Sequence, residues 1–291
     1  MSWYCLSNTP NAVLAPCAAE RAIPALQLGL AVYTTLRWPA PEPWFKRHWQ
    51  RLHHHAQAFG LASAQEIFSE DAIYQSLNAQ NLAPCVLRLT LAPALTDVTS
   101  FLDASTVLPL LLGVQTRPLP KLTLSPLKLQ ALAYNRPWPY LKHTSIGPEL
   151  LHKKSALAKG FDDVVWQNAQ GALTEASTSA LLALMPEKTV LCAPTQDALD
   201  SLSARWLMQT LNQQHQWQIC SAPLTLARLQ QAEGLVLCNC AQGFRAVSSI
   251  VLDSAATPAL KLLTPAWPHP LASQLTHWQN AYLNETAPCT I

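Results

Sequence analysis

Two apolar periodicities alternate along this chain, and that alternation restricts it to a layered mixture of helices and strands. Leu26 to Arg37 reads as a strand, because Val32, Tyr33, Thr34 and Thr35 are β-branched or aromatic. Trp44 to Leu61 reads as a helix. Phe45, Trp49, Leu52, Ala56 and Phe59 recur at helical spacing, and Gly60 sits at the stop position. A second helix is expected from Ala64 to Asn78, and Pro84 introduces a strand from Cys85 to Leu91. In the second half, a helix over Glu149 to Lys159 closes at Gly160. Val164 to Gln167 is a short strand, Asn168 to Gly171 a turn, and Leu173 begins the return strand. A helix from Ala198 to Asn212, a strand from Trp217 to Ser221 and a short helix from Thr225 to Gln231 follow. Leu235 to Cys240 is an apolar strand that opens into Gln242-Gly243. The class is therefore α/β, or α+β, in two parts.

A length of 291 residues suits two domains. Pro118 and Pro120, with Pro109 just before, mark a linker at 113–120. It separates an N-terminal α/β domain, 1–112, from a C-terminal domain, 121–291. Charged residues make up only 12% of the chain and hydrophobic ones 49%, the reverse of a disordered composition. The net charge of +2 is scattered and builds no electrostatic footprint for nucleic acid or a membrane surface. No apolar run reaches the roughly 18 residues of a membrane helix. The opening Met-Ser-Trp-Tyr-Cys-Leu lacks the basic segment and apolar core of a signal peptide, which favours the cytoplasm. Eight cysteines without a Cys-x-x-Cys pair read as reduced, small, buried hydrophobes.

The Gly-rich dinucleotide loop, the Walker loop, Gly-x-Ser-x-Gly and His-Glu-x-x-His are all missing from the sequence. His53-His54-His55 stands out, but three consecutive helix positions point about 100° apart and cannot converge on one ion. The cluster is expected to be a wet helix face, and no metal is expected.

Five spaced segments are more informative. They are Gly29-Leu30-Ala31-Val32-Tyr33-Thr34-Thr35-Leu36-Arg37, and His48-Trp49-Gln50-Arg51-Leu52 with Ala56 to Leu61. Next is Lys142, followed by Lys153, Lys154 and Gly160-Phe161-Asp162-Asp163. Last come Gly171-x-x-Thr174-Glu175-Ala176-Ser177-Thr178-Ser179, and Cys238-Asn239-Cys240-Ala241-Gln242-Gly243-Phe244-Arg245-Ala246-Val247. In order and spacing this series resembles the fold-type IV pyridoxal phosphate enzymes, over nearly the whole chain. The family includes branched-chain and D-amino-acid aminotransferases and 4-amino-4-deoxychorismate lyase. The resemblance implies the two-domain D-amino-acid aminotransferase-like architecture, pyridoxal 5'-phosphate as cofactor, a small-molecule substrate and a homodimer.

It also implies residue roles. Lys142 is the lysine that joins the cofactor covalently, and a desolvated, cation-rich setting would keep its amine neutral enough to attack. Glu175 matches the carboxylate that holds a proton on the pyridine nitrogen. Arg51 matches the arginine that binds the cofactor phosphate. Backbone N–H groups at Leu202-Ser203 and at Cys240-Ala241 would complete that anion site. Thr34 is the candidate catalytic hydroxyl, and Arg88, Asn239 and Arg245 are candidate substrate contacts. The sequence departs from the pattern at three places. Gly-Asp-Gly is Gly-Leu-Ala, Ser145-Ile146-Gly147 stands where a tyrosine or asparagine often follows the lysine, and Ala180 replaces an asparagine.

Within the family, Thr34-Thr35, Lys142-His143 and the Cys238 to Gly243 segment lean toward aminodeoxychorismate lyase, which forms p-aminobenzoate and pyruvate in folate biosynthesis. An aminotransferase acting on branched-chain or D-amino acids is the alternative, and a relative that binds cofactor without turnover is the third.

Overall fold

The computed structural model describes residues 2–6, 14–16, 20, 22–61, 69–95, 97–103, 108–252, 261–263 and 269–286. The fold is mixed α+β, and the chain divides into two compact units. Unit 1 runs to Pro120 and takes back Leu141–Ile146 and the chain's end from Asn284. Unit 2 holds Lys121–Tyr140 and Gly147–Leu283.

Unit 1 is a five-stranded antiparallel sheet. Its strands are β1 (Ser2–Leu6), β2 (Leu14–Pro16), β3 (Val32–Trp38), β4 (Cys85–Pro93) and β5 (Leu110–Pro118), in the order β2-β1-β5-β4-β3. Its helices are α1 (Ile23–Gln27), α2 (Glu42–Ala58), α3 (Glu70–Ala79) and α4 (Val98–Leu102). The strand expected from Leu26 begins only at Val32. Pro24 in the first turn instead starts the short helix α1, because proline's fixed φ and missing N–H suit that position. The expected linker at 113–120 is largely strand. Residues up to Pro118 pair with β4, and proline is tolerated at a strand's end. The second helix starts after its cap, Ser69, whose Oγ accepts the Ala72 N–H. The first part of that expected helix, 64–68, lies outside the described residues.

β3 ends the sheet order, and an open edge invites a partner. The segment Leu141–Ile146 supplies it. Tyr33 N–H donates to Lys142 O at 2.9 Å, Thr144 N–H donates to Ala31 O at 2.9 Å, and Val32 bridges His143. A domain boundary at 113–120 alone therefore misplaces the lysine segment, which packs with unit 1. Gly29 makes this possible. Its φ is +71°, and a Cβ there would meet Ser145 Cβ at 2.7 Å.

Unit 2 continues with β6 (Leu127–Ala133), α5 (Gly147–Ala158), β7 (Asp163–Gln167), β8 (Leu173–Ala176), β9 (Ala180–Met185) and β10 (Thr189–Cys192). α6 (Leu202–His215), β11 (Gln218–Ser221), α7 (Leu226–Leu229), β12 (Gly234–Asn239), β13 (Gly243–Leu252), β14 (Lys261–Leu263) and α8 (His269–Thr286) follow. β6 and β7 are parallel, so the chain must cross over between them, and α5 provides the crossover. The path β9-β12-β13-β6-β7-β8 returns to β9 and closes on itself. Leu129, Val165, Leu173, Leu181, Leu235, Leu237, Val247 and Ile250 form one buried core in this ring. α6 begins at Leu202 rather than Ala198, because Ser201 caps it through the Ala204 N–H.

Burial corrects two expectations. His53 and His55 are buried and only His54 is exposed, so the histidine run is not a wet face. Cys220 is exposed and Cys192 half-buried, while Cys85 and Cys238 are buried. Most described tryptophans lie in the core, and Trp138 is the exposed one among them.

Candidate active site

In unit 1 the site is organised by the alternation of β3. Successive side chains point to opposite faces of a strand. Thr34 is fully buried and meets α2: its Oγ1 lies 2.8 Å from His48 Nδ1 and accepts Arg51 Nη2–H at 2.9 Å. Thr34 is therefore committed behind the sheet, which argues against its assignment as the catalytic hydroxyl. Tyr33 and Thr35 take the other face, and Arg88 of β4 stands opposite Thr35 in the ladder.

That face is cationic. The Arg88 guanidinium carbon lies 3.7 Å from the centre of the Tyr33 ring, and Lys142 Nζ lies 4.9 Å from it. One aromatic ring thus attracts two cations through its negative π face. Burial, followed by the like charge of Arg117, lowers the Arg88 pKa against the raising influence of Tyr33. Arg88 Nε is buried with no hydrogen-bond partner among the described residues.

Lys142 is held by its backbone from two sides. Its carbonyl accepts Tyr33 N–H, and its own N–H donates to His55 Nδ1 at 3.1 Å. A histidine that accepts at Nδ1 carries its proton on Nε2 and is neutral. His48 is held well below the usual histidine range, first by burial and then by the charges of Arg51 and Lys142. His53 is pushed down to about 4 by burial.

In unit 2, Glu175 leaves β8 nearly buried. Its Oε1 accepts Arg136 Nη1–H at 2.5 Å, and its Oε2 accepts the Leu199 N–H at 3.4 Å. Arg136 Nε also lies 3.7 Å from Glu149 Oε1, an ion-pair distance too long for a hydrogen bond. Glu149 is buried, and with burial it raises the Tyr134 pKa. Two buried carboxyl groups thus face one guanidinium, an arrangement that can accept from a further cationic donor. A protonated pyridine nitrogen would supply it, so these residues fit the cofactor that the sequence implies.

Leu202 and Ser203 are buried at the start of α6, where Ser203 Oγ and Ser201 Oγ lie 3.1 Å apart. Cys240 and Ala241 form the turn between β12 and β13. Asn239 Oδ1 takes the Ala241 N–H at 2.8 Å and the Gln242 N–H at 3.2 Å, and its amide donates to Thr178 O. Asn239 therefore builds the turn and is not free to hold substrate, and the Ala241 N–H is not free for phosphate. Arg245 Nη2 donates to Ser125 O at 2.8 Å, and burial lowers the Arg245 pKa. The expected residues thus form two groups. Thr34, Arg51, Arg88 and Lys142 belong to unit 1, while Glu175, Leu202, Ser203, Asn239, Cys240, Ala241 and Arg245 belong to unit 2.

Sequence reasoning missed Tyr33, Thr35, His48, His55 and Arg136. Strand alternation could have found Thr35. Arg136, set between Asn135 and Pro137 six residues before Lys142, had only its place in a Pro-rich loop to mark it.

The family described as amino-transferase class IV matches residues 31–250, and the chain belongs to it. Comparison with curated proteins returns no sequence match. Among solved structures, the chain is similar to a protein provisionally assigned as a 4-amino-4-deoxychorismate lyase from Legionella pneumophila. They share 21% identity over 88% of this chain and 92% of that one, with a TM-score of 0.71. It is also similar to the branched-chain aminotransferase of Thermoproteus uzoniensis, solved with norvaline, at 16% identity. That match covers 99% of each chain, with a TM-score of 0.74. A third neighbour is the branched-chain amino acid aminotransferase of Escherichia coli. It shares 14% identity over 100% of this chain and 97% of that one, with a TM-score of 0.74.

Proposed function

We propose that this chain is a pyridoxal phosphate-dependent lyase that converts 4-amino-4-deoxychorismate to p-aminobenzoate and pyruvate. The observation that carries the reading is the face of β3. Lys142 is fixed by its backbone and stands over Tyr33, while Thr35 and Arg88 occupy the same face. A hydroxyl and a half-buried arginine near the lysine suit a polar substrate that bears carboxylates. The likeness to the Legionella protein supports the same reading.

When bound, pyridoxal phosphate supplies an electron sink for the carbanion at the carbon next to the amino group. In this reading Arg51 binds its phosphate, and Glu175 keeps the proton on its ring nitrogen. Lys142 Nζ removes the proton from the substrate ring carbon that bears the amine. The ring's C–O bond to the enolpyruvyl group breaks, the ring becomes aromatic, and the enolpyruvate takes a proton to leave as pyruvate. Thr35, rather than Thr34, is the hydroxyl placed to meet substrate. Arg88 binds a carboxylate. The active form is a cytoplasmic homodimer.

The second reading is an aminotransferase acting on branched-chain or D-amino acids. It is favoured by fold likeness to the Thermoproteus enzyme over 99% of both chains. Incubation with 4-amino-4-deoxychorismate separates the two. Pyruvate release without any oxo acid, abolished in Lys142→Ala, is the expected result. Amino transfer to 2-oxoglutarate without pyruvate release would replace the lyase with the aminotransferase.

A further inference from the structure

A directed hydrogen-bond chain runs behind Arg51. Thr34 Oγ1 accepts an N–H of Arg51 at 2.9 Å and lies 2.8 Å from His48 Nδ1. Thr34 is fully buried, so its own O–H needs an acceptor. His48 Nδ1 is the acceptor within reach among the described residues. The direction therefore runs from Arg51 to Thr34 to His48, and the network assigns the imidazole proton to Nε2. Reversal is blocked by charge and by geometry. A proton on Nδ1 would leave the buried Thr34 O–H without an acceptor among the described residues, and a proton on both ring nitrogens would add a cation beside Arg51 and Lys142. The groups that face His48 are Arg51 and the edge-on ring of Trp44 from its own helix, Thr34 from β3, and Lys142 from the segment on the sheet edge.

We propose that Thr34 and His48 are positioning residues: they fix the direction of the Arg51 guanidinium and so give the protein its preference for a phosphate-bearing ligand over the same ligand without phosphate. The proposal rests on the cofactor reading above. An arginine fork binds phosphate well only when its plane is set beforehand, since it otherwise loses rotamer freedom on binding. Here one N–H is spent on Thr34 to orient the rest.

The cofactor-free full chain is titrated with pyridoxal 5'-phosphate and, separately, with pyridoxal, and binding is read by tryptophan fluorescence. The wild type is expected to prefer the phosphate form. Thr34→Val is expected to lose roughly tenfold or more of that preference, the weight of one charge-assisted hydrogen bond. Its affinity for pyridoxal is expected to hold, and Thr34→Ser is expected to restore the preference. Equal loss of both ligands in Thr34→Val would mean a general packing defect and would overturn the proposal. An unchanged preference would overturn it too, while leaving the cofactor reading intact. A wild type with no preference would overturn both. If Thr34→Val does not fold, two His48 variants decide. His48→Asn keeps an acceptor and is expected to keep the preference, whereas His48→Leu is expected to lose it. Identical behaviour of the two overturns the proposal.

Discussion

At the scale of single residues, the histidines of α2 do the least expected work. His55 is neutral and buried, and it accepts the backbone N–H of Lys142 from 87 positions away in the chain. Removing that acceptor strands a backbone donor. His55→Leu is therefore expected to lower the unfolding free energy by about 1–3 kcal/mol. It should also reduce turnover more than cofactor affinity, because it loosens the lysine rather than Arg51. Chemical denaturation and a steady-state assay on the same variant check both halves. Lys142, Glu175 and Arg51 were named because the resemblance carries them position by position, and their roles rest on the proposed function. Which of the two adjacent threonines faces which way was not legible, because they share a motif but not a face, and a motif does not say which of them looks behind the sheet. Arg136 was hidden because the feature that marks it is its reach to Glu175, a contact across 39 residues.

At the scale of elements, periodicity found what has one dry face. α2 repeats its apolar residues at helical spacing and emerged almost as drawn. β7, the turn after it and β8 emerged as a hairpin, because Asn168 and Gly171 carry the turn chemistry. What failed had mixed instructions. The prolines of β5 advertised a linker although they cap a paired strand. β9 is apolar on both faces inside a closed ring, so it has no alternation to read. α8 contributes one long-range device invisible in sequence. Its buried Gln279 accepts the Phe244 N–H and donates to Gln242 O, which clamps the turn between β12 and β13. Gly243 at that turn has φ +73°, and a Cβ there would run into the Gln279 amide. Gly243→Ala is expected to cost about 1–3 kcal/mol, from backbone strain and overpacking together. The loss should show as a lowered melting temperature.

At the scale of the whole molecule, acid is expected to act unevenly on the two units. His48 and His53 both lie in unit 1, and burial depresses both. The unfolded chain binds protons at an ordinary histidine near 6.5, whereas folded His53 resists them down to about 4. Between those values the unfolded state holds more protons, so stability must fall as pH falls through that window. Above about 6.5 both states are neutral at these rings and the dependence vanishes. His53 makes no hydrogen bond through either ring nitrogen among the described residues, and its ring stands edge-on to Trp49 at 4.7 Å. Replacing it with a leucine removes the acid penalty without removing a polar partner. Hydrogen exchange at pH 7 and pH 5 is expected to show protection dropping first in α2 and β3. His53→Leu should flatten the fall without abolishing it, because His48 still resists protonation. Equal acid sensitivity of both units, unchanged in the variant, would place the acid-labile groups elsewhere.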